Sequence, residues 1–459
     1  MPLPVALLVS IIPFGLAALL MAIVFWLYYR LRLKASRVWS YAGLICFWLG
    51  YEFLHQSWDL AFPWMNLGNG FSNFHQIIQW YEFTGVYGGS LWVLITNILG
   101  LEFYRSLRSK GAEARRLGWT LLALVVLPVL YSITIYTNYT EKVNPSNIVV
   151  VQPNVDPYLK FGSLPSIAQV QRLIYLSDSA GQVNTEYFIW PETAIPQDTD
   201  EGTIHTNPTF LQVQNFLSKF PNANVLSGIS SYLVYDSAST ATARYDEQST
   251  KYYDSFNAAI QIENSARVQF YHKSKLVPGV EQTPFSSALG FIKPLFAAFG
   301  GTTGGYGYQD EPSVFYTQSG IGVAPVICYE SIWGEYVSDY VSKGAQFIAI
   351  ITNDAWWGNT SGKDQHMAYA KLRAIETRRW VARSANTGIS GFINQRGDIT
   401  KKSDWWVATA LKEDINLNDE LTFYTRKGDY IAITACLLSG LFLLFLMFSL
   451  FRKPSPGKS

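Results

Sequence analysis

Apolar and polar positions are not mixed evenly along this chain. Residues 5–29 (VALLVSIIPFGLAALLMAIVFWLYY) carry no charge, and the run exceeds the roughly 20 residues needed to cross a bilayer. Runs of similar character cover 38–62, 83–103, 117–137 and 430–451. The pattern predicts five transmembrane helices, four forming a bundle over 1–137 and one near the end of the chain. In the second run Glu52, His55 and Asp59 interrupt the apolar character. At helical spacing these three share one face. They either line a polar path in the bundle or mark a helix that ends nearer the surface. The first run is too long for a signal-peptide core and has no charged segment before it.

Between 138 and 429 the pattern changes. "NIVVVQPNV" (147–155), "YFIWPETAIP" (187–196), "ANVLSGISSYLV" (223–234), "GIGVAPVICYES" (320–331) and "AQFIAIITNDAWWG" (345–358) are apolar runs closed by polar residues or proline. Such runs predict buried strands. "SFNAAIQIENSARVQFYHKSKLVP" (255–278) reads as two strands with a turn at Glu263–Ala266. "QVQRLIYLSDSA" (169–180) and "DQHMAYAKLRAIETRRWVARSA" (364–385) follow helical spacing. Apolar strands broken by helices predict an α/β domain with buried sheets covered by helices. Its length suffices for a full core.

Basic residues orient this arrangement. Arg30, Arg32, Lys34 and Arg37 follow the first apolar run, and Arg105, Arg108, Lys110, Arg115 and Arg116 follow the third. The tail 452–459 holds Arg452, Lys453 and Lys458, whereas 63–82 has no Lys or Arg. Basic loops stay in the cytoplasm, so residues 138–429 are expected outside. The composition, 49% hydrophobic and 15% charged, is apolar for a soluble protein and suits a chain partly in lipid. A net charge of +1 gives no reason to expect nucleic acid.

Of three cysteines, Cys46 and Cys436 fall in predicted membrane helices and Cys328 stands alone in the outer domain. That domain therefore forms no internal disulfide. A lone cysteine suggests a free thiol kept for chemistry, although a small buried hydrophobe is the plainer account. Glu192 follows the strand FIWP, Cys328 follows APVI, and Asn353 and Asp354 follow IAIIT. Sites in α/β folds gather at strand ends, which places Glu192 and Cys328 together. A thiol needs a proton acceptor to become a nucleophile. His205, His272 and His366 lie in no motif that points at Cys328. A buried carboxylate can take the proton, and a lysine can hold the charge that develops on a carbonyl oxygen.

The segments "IWPETAIP", "YHKSKLVPGVEQTPF", "VICYESIWGE", "ITNDAWWGNTSGKDQH" and "LRAIETRRWVARSANTGISGFI" resemble, in order, motifs of the carbon–nitrogen hydrolase (nitrilase) superfamily. The chain is similar to its membrane-bound branch, the apolipoprotein N-acyltransferases. The likeness covers 147–400 and extends to "FPWMNLG" and the helix after it. It implies a nitrilase-like αββα sandwich outside the membrane, joined to an α-helical bundle. It implies Glu192 as general base, Lys273 as oxyanion stabiliser and Cys328 as nucleophile. It further implies that Glu281 orients the lysine and that Tyr329 and Glu330 shape the site. Lys273 and Lys275 fall on one face of a strand, and only the resemblance selects Lys273. Pro278-Gly279-Val280-Glu281 departs from the Val-Pro-Phe-Gly-Glu common in the family. Family members also carry more helices before the catalytic domain, and four helices starting outside still deliver that domain to the same side.

The implied reaction moves an acyl chain from a phospholipid, through a thioester on Cys328, to the diacylglyceryl-cysteine of an apolipoprotein. It uses no metal and no soluble cofactor. Its setting would be the bacterial cytoplasmic (inner) membrane, with catalysis on the outer, periplasmic side. Residues 286–309 form a lid carrying Phe291, Leu295, Phe296 and Phe299, or else a packed loop. Trp356 and Trp357 contact acyl chains, or else serve as interfacial or core aromatics. The alternatives are a membrane-anchored amidase or nitrilase acting on a small amide, and acyl transfer to a different amine. A non-catalytic scaffold is disfavoured because Glu192, Lys273 and Cys328 are all present.

Overall fold

The computed structural model describes residues 3–109, 111–162, 164–282, 284–285 and 305–451. Two compact units emerge. One draws on residues 1–71, 84–133 and 429–459, the other on 72–83 and 134–428. The tail 452–459 lies outside the described residues, as does Lys110.

The first unit is helical. It is built from α1 (Leu3–Arg32), α2 (Arg37–Leu54), α3 (Tyr81–Arg108), α4 (Ala114–Asn138) and the helix Tyr430–Phe451. Among the described residues four stretches are long and apolar enough to cross a membrane: Phe14–Arg32, Tyr81–Arg108, Ala114–Asn138 and Tyr430–Leu450. α2 is not one of them. Its 18 residues reach about 27 Å, short of a bilayer core of about 30 Å. The segment expected over 38–62 is thus shorter. His55 caps α2, the Phe62 N–H turns back to the His55 carbonyl at 2.8 Å, and Pro63 opens a single 3₁₀ turn. Asp59 lies beyond the helix, so Glu52, His55 and Asp59 do not share a helical face. Glu52 is buried, and its Oε1 accepts from Trp48 Nε1 at 3.1 Å and from the Leu67 N–H at 2.9 Å. A desolvated carboxylate needs donors, and these tie the returning chain to α2.

Small residues let these helices approach. A Cβ at Gly43 would collide with the Leu31 side chain, and one at Gly50 would meet Ser439 Oγ at 3.4 Å and Cys436 Sγ at 3.7 Å. Phe14, Trp26, Leu127, Leu441 and Phe448 point outward, a surface suited to lipid and costly in water. The chain is a membrane protein.

The second unit contains, among the described residues, fourteen strands in two sheets. In chain order they are β1 (Pro145–Gln152), β2 (Thr185–Ile189), β3 (Ile195–Asp200), β4 (Asn224–Tyr235), β5 (Arg244–Asp246), β6 (Lys251–Glu263), β7 (Val268–His272), β8 (Phe315–Tyr316), β9 (Gly322–Ile327), β10 (Phe347–Thr352), β11 (Val381–Ala385), β12 (Gly391–Ile393), β13 (Ile399–Lys402) and β14 (Thr409–Asn416). The first sheet runs β14-β1-β2-β4-β6-β5, with β3 also on β4 and β7 also on β6. The second runs β13-β12-β11-β10-β9-β8. The centres are parallel: β1 with β2 and β2 with β4, β9 with β10 and β10 with β11. These strands are buried on both faces, which is why IVVV and IAII read as unbroken apolar runs.

The sheets face each other. The Tyr187 and Phe347 rings meet edge to face at 5.4 Å, and Ser384 Oγ donates to the Val151 carbonyl at 2.7 Å. Helices Ser166–Ala180 and Pro208–Leu217 cover the first sheet, and Gly334–Ser342 and Gly362–Thr377 cover the second. The order is helix, sheet, sheet, helix, the αββα sandwich expected. The helix expected over 364–385 is shorter. It ends where Arg378 turns left-handed at φ 51°, and 381–385 is β11. The Arg378 guanidinium donates to Glu82 Oε2 and Gln79 Oε1, both at 2.7 Å. Those bonds and pairing with β10 override local helical spacing.

Trp190 anchors the helix-covered face of the first sheet. It is fully buried, and its Nε1 donates to Ser177 Oγ at 2.9 Å. Trp190→Ala should cost about 3–5 kcal/mol, read as a lowered unfolding midpoint of the detergent-solubilised chain.

Candidate active site

Three strand ends supply the candidate groups. β2 runs through Trp190 and Pro191 into Glu192, β7 runs directly into Lys273, and β9 runs directly into Cys328. Two non-glycine residues here have left-handed backbones, Thr193 at φ 45° and Cys328 at φ 50°. Such conformations cost of order 1–3 kcal/mol and persist only where the surroundings enforce them. Both redirect the chain as it leaves a strand. At the first, Gly228 of β4 is required: a Cβ there would overlap the Thr193 nitrogen and approach Glu192 Cα at 2.6 Å.

Lys273 is 1% exposed. Its Nζ donates to Glu281 Oε1 at 2.9 Å and to Glu192 Oε1 at 3.2 Å. Asn257 of β6 donates Nδ2 to the same two oxygens, each at 2.8 Å. Glu281 Oε2 accepts the Val277 N–H at 2.8 Å, closing its loop. Burial alone would lower the lysine's pKa. The charges of Glu281 and Glu192 outweigh it and hold the amine well above its ordinary value, which favours the ammonium. Lys275 is placed differently, with its ammonium 4.9 Å from the Tyr336 ring centre.

The Cys328 thiol lies in the field of these groups. Burial and the nearby Glu192 charge push its pKa well up, while Lys273 opposes them. The resting state is therefore a thiol. Cys328 is a free cysteine of intermediate burial.

Glu330 joins the Cys328 turn to the lysine. Its Oε2 accepts the Ile327 N–H, one residue before Cys328, at 2.8 Å. Its Oε1 accepts the Ser274 N–H, one residue after Lys273, at 2.7 Å, and the Tyr271 hydroxyl at 2.5 Å. Burial pushes its carboxyl up to about 7 against those donors. Tyr329 is buried edge to face on Trp333, with ring centres 4.7 Å apart.

Behind Cys328 lies a second polar cluster. His366 Nε2 is 3.2 Å from the Cys328 carbonyl oxygen and 2.8 Å from Ser331 Oγ. Its Nδ1 lies 3.1 Å from Asp354 Oδ1, and Arg383 Nη2 donates to both Asp354 oxygens at 3.0 and 2.9 Å. Burial would raise the Asp354 carboxyl, but Arg383 and His366 hold it well below the usual range. His366 thus touches the backbone of Cys328, a contact its sequence position did not reveal.

The aromatic candidates separate. Trp357 packs edge to face on His366 at 5.1 Å. Trp356 is 54% exposed and meets only the edge of Tyr158 among the described ring contacts, at 5.8 Å. It is not a core residue. Phe291 and Phe296, with Leu295 and Phe299, lie outside the described residues. Sequence reasoning missed two groups that touch Glu192. One is Asn257, whose signal is an amide, one of two with Gln261, inside the mostly apolar strand "SFNAAIQI". The other is Lys160, whose setting "DPYLKF" gives no periodic clue. Among the described residues no cluster of His, Cys, Asp and Glu is arranged to hold a metal ion.

Two substitutions test this geometry. Asn257→Leu keeps the volume and removes both 2.8 Å bonds. It should slow alkylation of Cys328 by iodoacetamide by about tenfold or more, since a charge-assisted bond is worth about 1.5–3 kcal/mol. Gly228→Ala should produce a comparable loss by displacing Glu192, with the unfolding midpoint followed as a control.

Comparison with known proteins places these features. Residues 163–420 match the carbon-nitrogen hydrolase family model, and residues 1–99 match that of the apolipoprotein N-acyltransferase N-terminal domain. Similar curated proteins include the apolipoprotein N-acyltransferase of Chlorobaculum tepidum, 29% identical over 91% of this chain and 79% of its own. That of Geobacter metallireducens is 27% identical over 84% and 70%. Among solved structures, a nitrilase-superfamily member of branch 10 from Saccharomyces cerevisiae aligns with TM-score 0.40 and 15% identity, over 60% of this chain and 90% of that one. An amidase from Nesterenkonia aligns with TM-score 0.43 and 12% identity, over 65% and 98%. With its family model matched across more than half of its length, the chain belongs to the carbon-nitrogen hydrolase family, in the branch whose N-terminal domain is that of the apolipoprotein N-acyltransferases.

Proposed function

We propose that the protein transfers an acyl chain from a membrane phospholipid to the α-amine of the diacylglyceryl-cysteine at the N-terminus of an apolipoprotein. One observation carries the reading: Lys273 is buried between Glu192 and Glu281 beside the Cys328 thiol, in a membrane chain whose relatives are named apolipoprotein N-acyltransferase. The catalytic assignments are Glu192 as base, Lys273 as oxyanion stabiliser and Cys328 as nucleophile. Glu281, Tyr329 and Glu330 support them.

The steps follow from the charges. Because the thiol's pKa is raised, deprotonation accompanies attack. Glu192 takes the Cys328 proton as sulfur bonds to the ester carbonyl carbon. The oxyanion that forms is met by the Lys273 cation, already fixed and desolvated, so little reorganisation is needed. Collapse breaks the carbon–oxygen bond, Glu192 returns its proton to the departing lysophospholipid, and a thioester remains. The lipoprotein amine then attacks the thioester carbon and loses a proton to Glu192. The carbon–sulfur bond breaks, and the proton passes to the thiolate. The product is an amide, and the cycle is covalent and ping-pong. Exposed aromatics such as Trp356 suit contact with acyl chains.

The basic residues after α1 and between α3 and α4 support a cytoplasmic side for those loops. On this reading the sandwich stands on the outer face of a bacterial cytoplasmic membrane, where both lipid substrates are found.

Intact mass after incubation with phospholipid tests the proposal. The chain should gain one acyl group, labile to hydroxylamine, and Cys328→Ala should gain none. A diacylated lipopeptide should discharge the adduct and become triacylated. An unacylated chain under every lipid condition, with release of ammonia from small amides, would overturn it.

A further inference from the structure

Glu192 has a second cation beside it. Lys160 ends the short helix Pro157–Lys160 and is 3% exposed. Its Nζ donates to the Glu192 carbonyl at 2.9 Å and to Thr193 Oγ1 at 2.7 Å. Its own carbonyl accepts from Gln169 Nε2 at 2.8 Å, so the backbone is held as well. Among the described residues no carboxylate oxygen pairs with it directly. A buried ammonium with only neutral acceptors is expensive, and a fold that keeps one needs a compensating role for it. The two acceptors belong to one dipeptide, the one whose left-handed Thr193 aims Glu192.

We propose that Lys160 is a positioning residue for Glu192. It clamps the Glu192–Thr193 turn and places a cation beside the Glu192 side chain. The inference rests on Glu192 acting as base toward Cys328. It does not depend on the identity of the acyl donor or acceptor.

The surrounding charges set the sign. Lys273 and Glu281 face Glu192 from the β7 end and its loop, Cys328 from the β9 end, and Asp354 acts on Cys328 from behind. Lys160 adds one positive charge to this set. Burial pushes its own amine down to about 7, with Glu192 pulling it back up. Neutralising Lys160 removes positive charge from beside Glu192. The acidic limb of Cys328 reactivity should then move upward.

The test uses the full detergent-solubilised chain and iodoacetamide, with alkylation followed by intact mass from about pH 5 to about pH 9, a range spanning carboxylate and shifted-amine titration. Cys328→Ala corrects for Cys46 and Cys436. Lys160→Met should alkylate at least about tenfold more slowly near pH 7, with its acidic limb about half a unit or more higher. Lys160→Gln keeps a donor without the charge and should share the limb shift with a smaller loss of rate. Wild-type profiles in both variants, at unchanged melting temperature, overturn the proposal. A wild-type limb in Lys160→Gln alone overturns the charge role. If neither variant folds, Thr193→Ala removes the 2.7 Å acceptor and should slow alkylation, and an unchanged rate there overturns the clamp. Glu192→Gln, run alongside, separates the failures. If it alkylates like wild type, the base assignment falls and takes this inference with it.

Discussion

One buried ammonium organises the site. Lys273 sits where two carboxylates and an amide converge, and none of these groups is tolerable there without the others. A lone buried charge costs several kcal/mol, so removing Lys273 would leave Glu192 and Glu281 facing each other unscreened. The pair of carboxylates in turn keeps the lysine charged despite its burial. Burial first, and then the negative field of Glu192, push the Cys328 thiol up against the opposing lysine.

The rest of the sandwich keeps that cluster in register. Strand ends bring the groups together, and left-handed residues at Thr193 and Cys328 turn them inward. Glu330 then fixes the separation, since its two oxygens hold the peptides next to Cys328 and next to Lys273. Behind the turn, Asp354, Arg383 and His366 form a compact polar block against the Cys328 carbonyl. Glu192, Lys273 and Cys328 therefore sit on a densely hydrogen-bonded frame.

Much of this was legible in the sequence, for identifiable reasons. Both-face burial makes β1, β9 and β10 unbroken apolar runs, and β2 closes on the apolar YFIW, so the ends of β2 and β9, and with them Glu192 and Cys328, were legible. The choice of Lys273 over Lys275 rested on family likeness, and the two lysines do differ: one is enclosed by carboxylates, the other rests on a tyrosine ring. Hydropathy misjudged α2, because a turn at His55 and Pro63 interrupts a run that still reads as apolar. It also ran the helix after Gly362 through Arg378, where bonds to Glu82 and Gln79 end it. Those partners lie nearly three hundred positions away, and no local pattern carries such information. Asn257 and Lys160 were hidden for the same reason.

Those long-range bonds bear on how the sandwich could be isolated. Residues 72–83, which run into the first residues of α3 and precede α4, belong to the β-sheet unit. Glu82 and Gln79 neutralise and cradle Arg378, and His75 meets Asp398 at 2.8 Å. A single cut after α4 would discard the partners of a buried guanidinium. The β-sheet half is thus stitched from two separate stretches of chain, and ribosomal synthesis must make most of two apolar helices between the first stitch and the second.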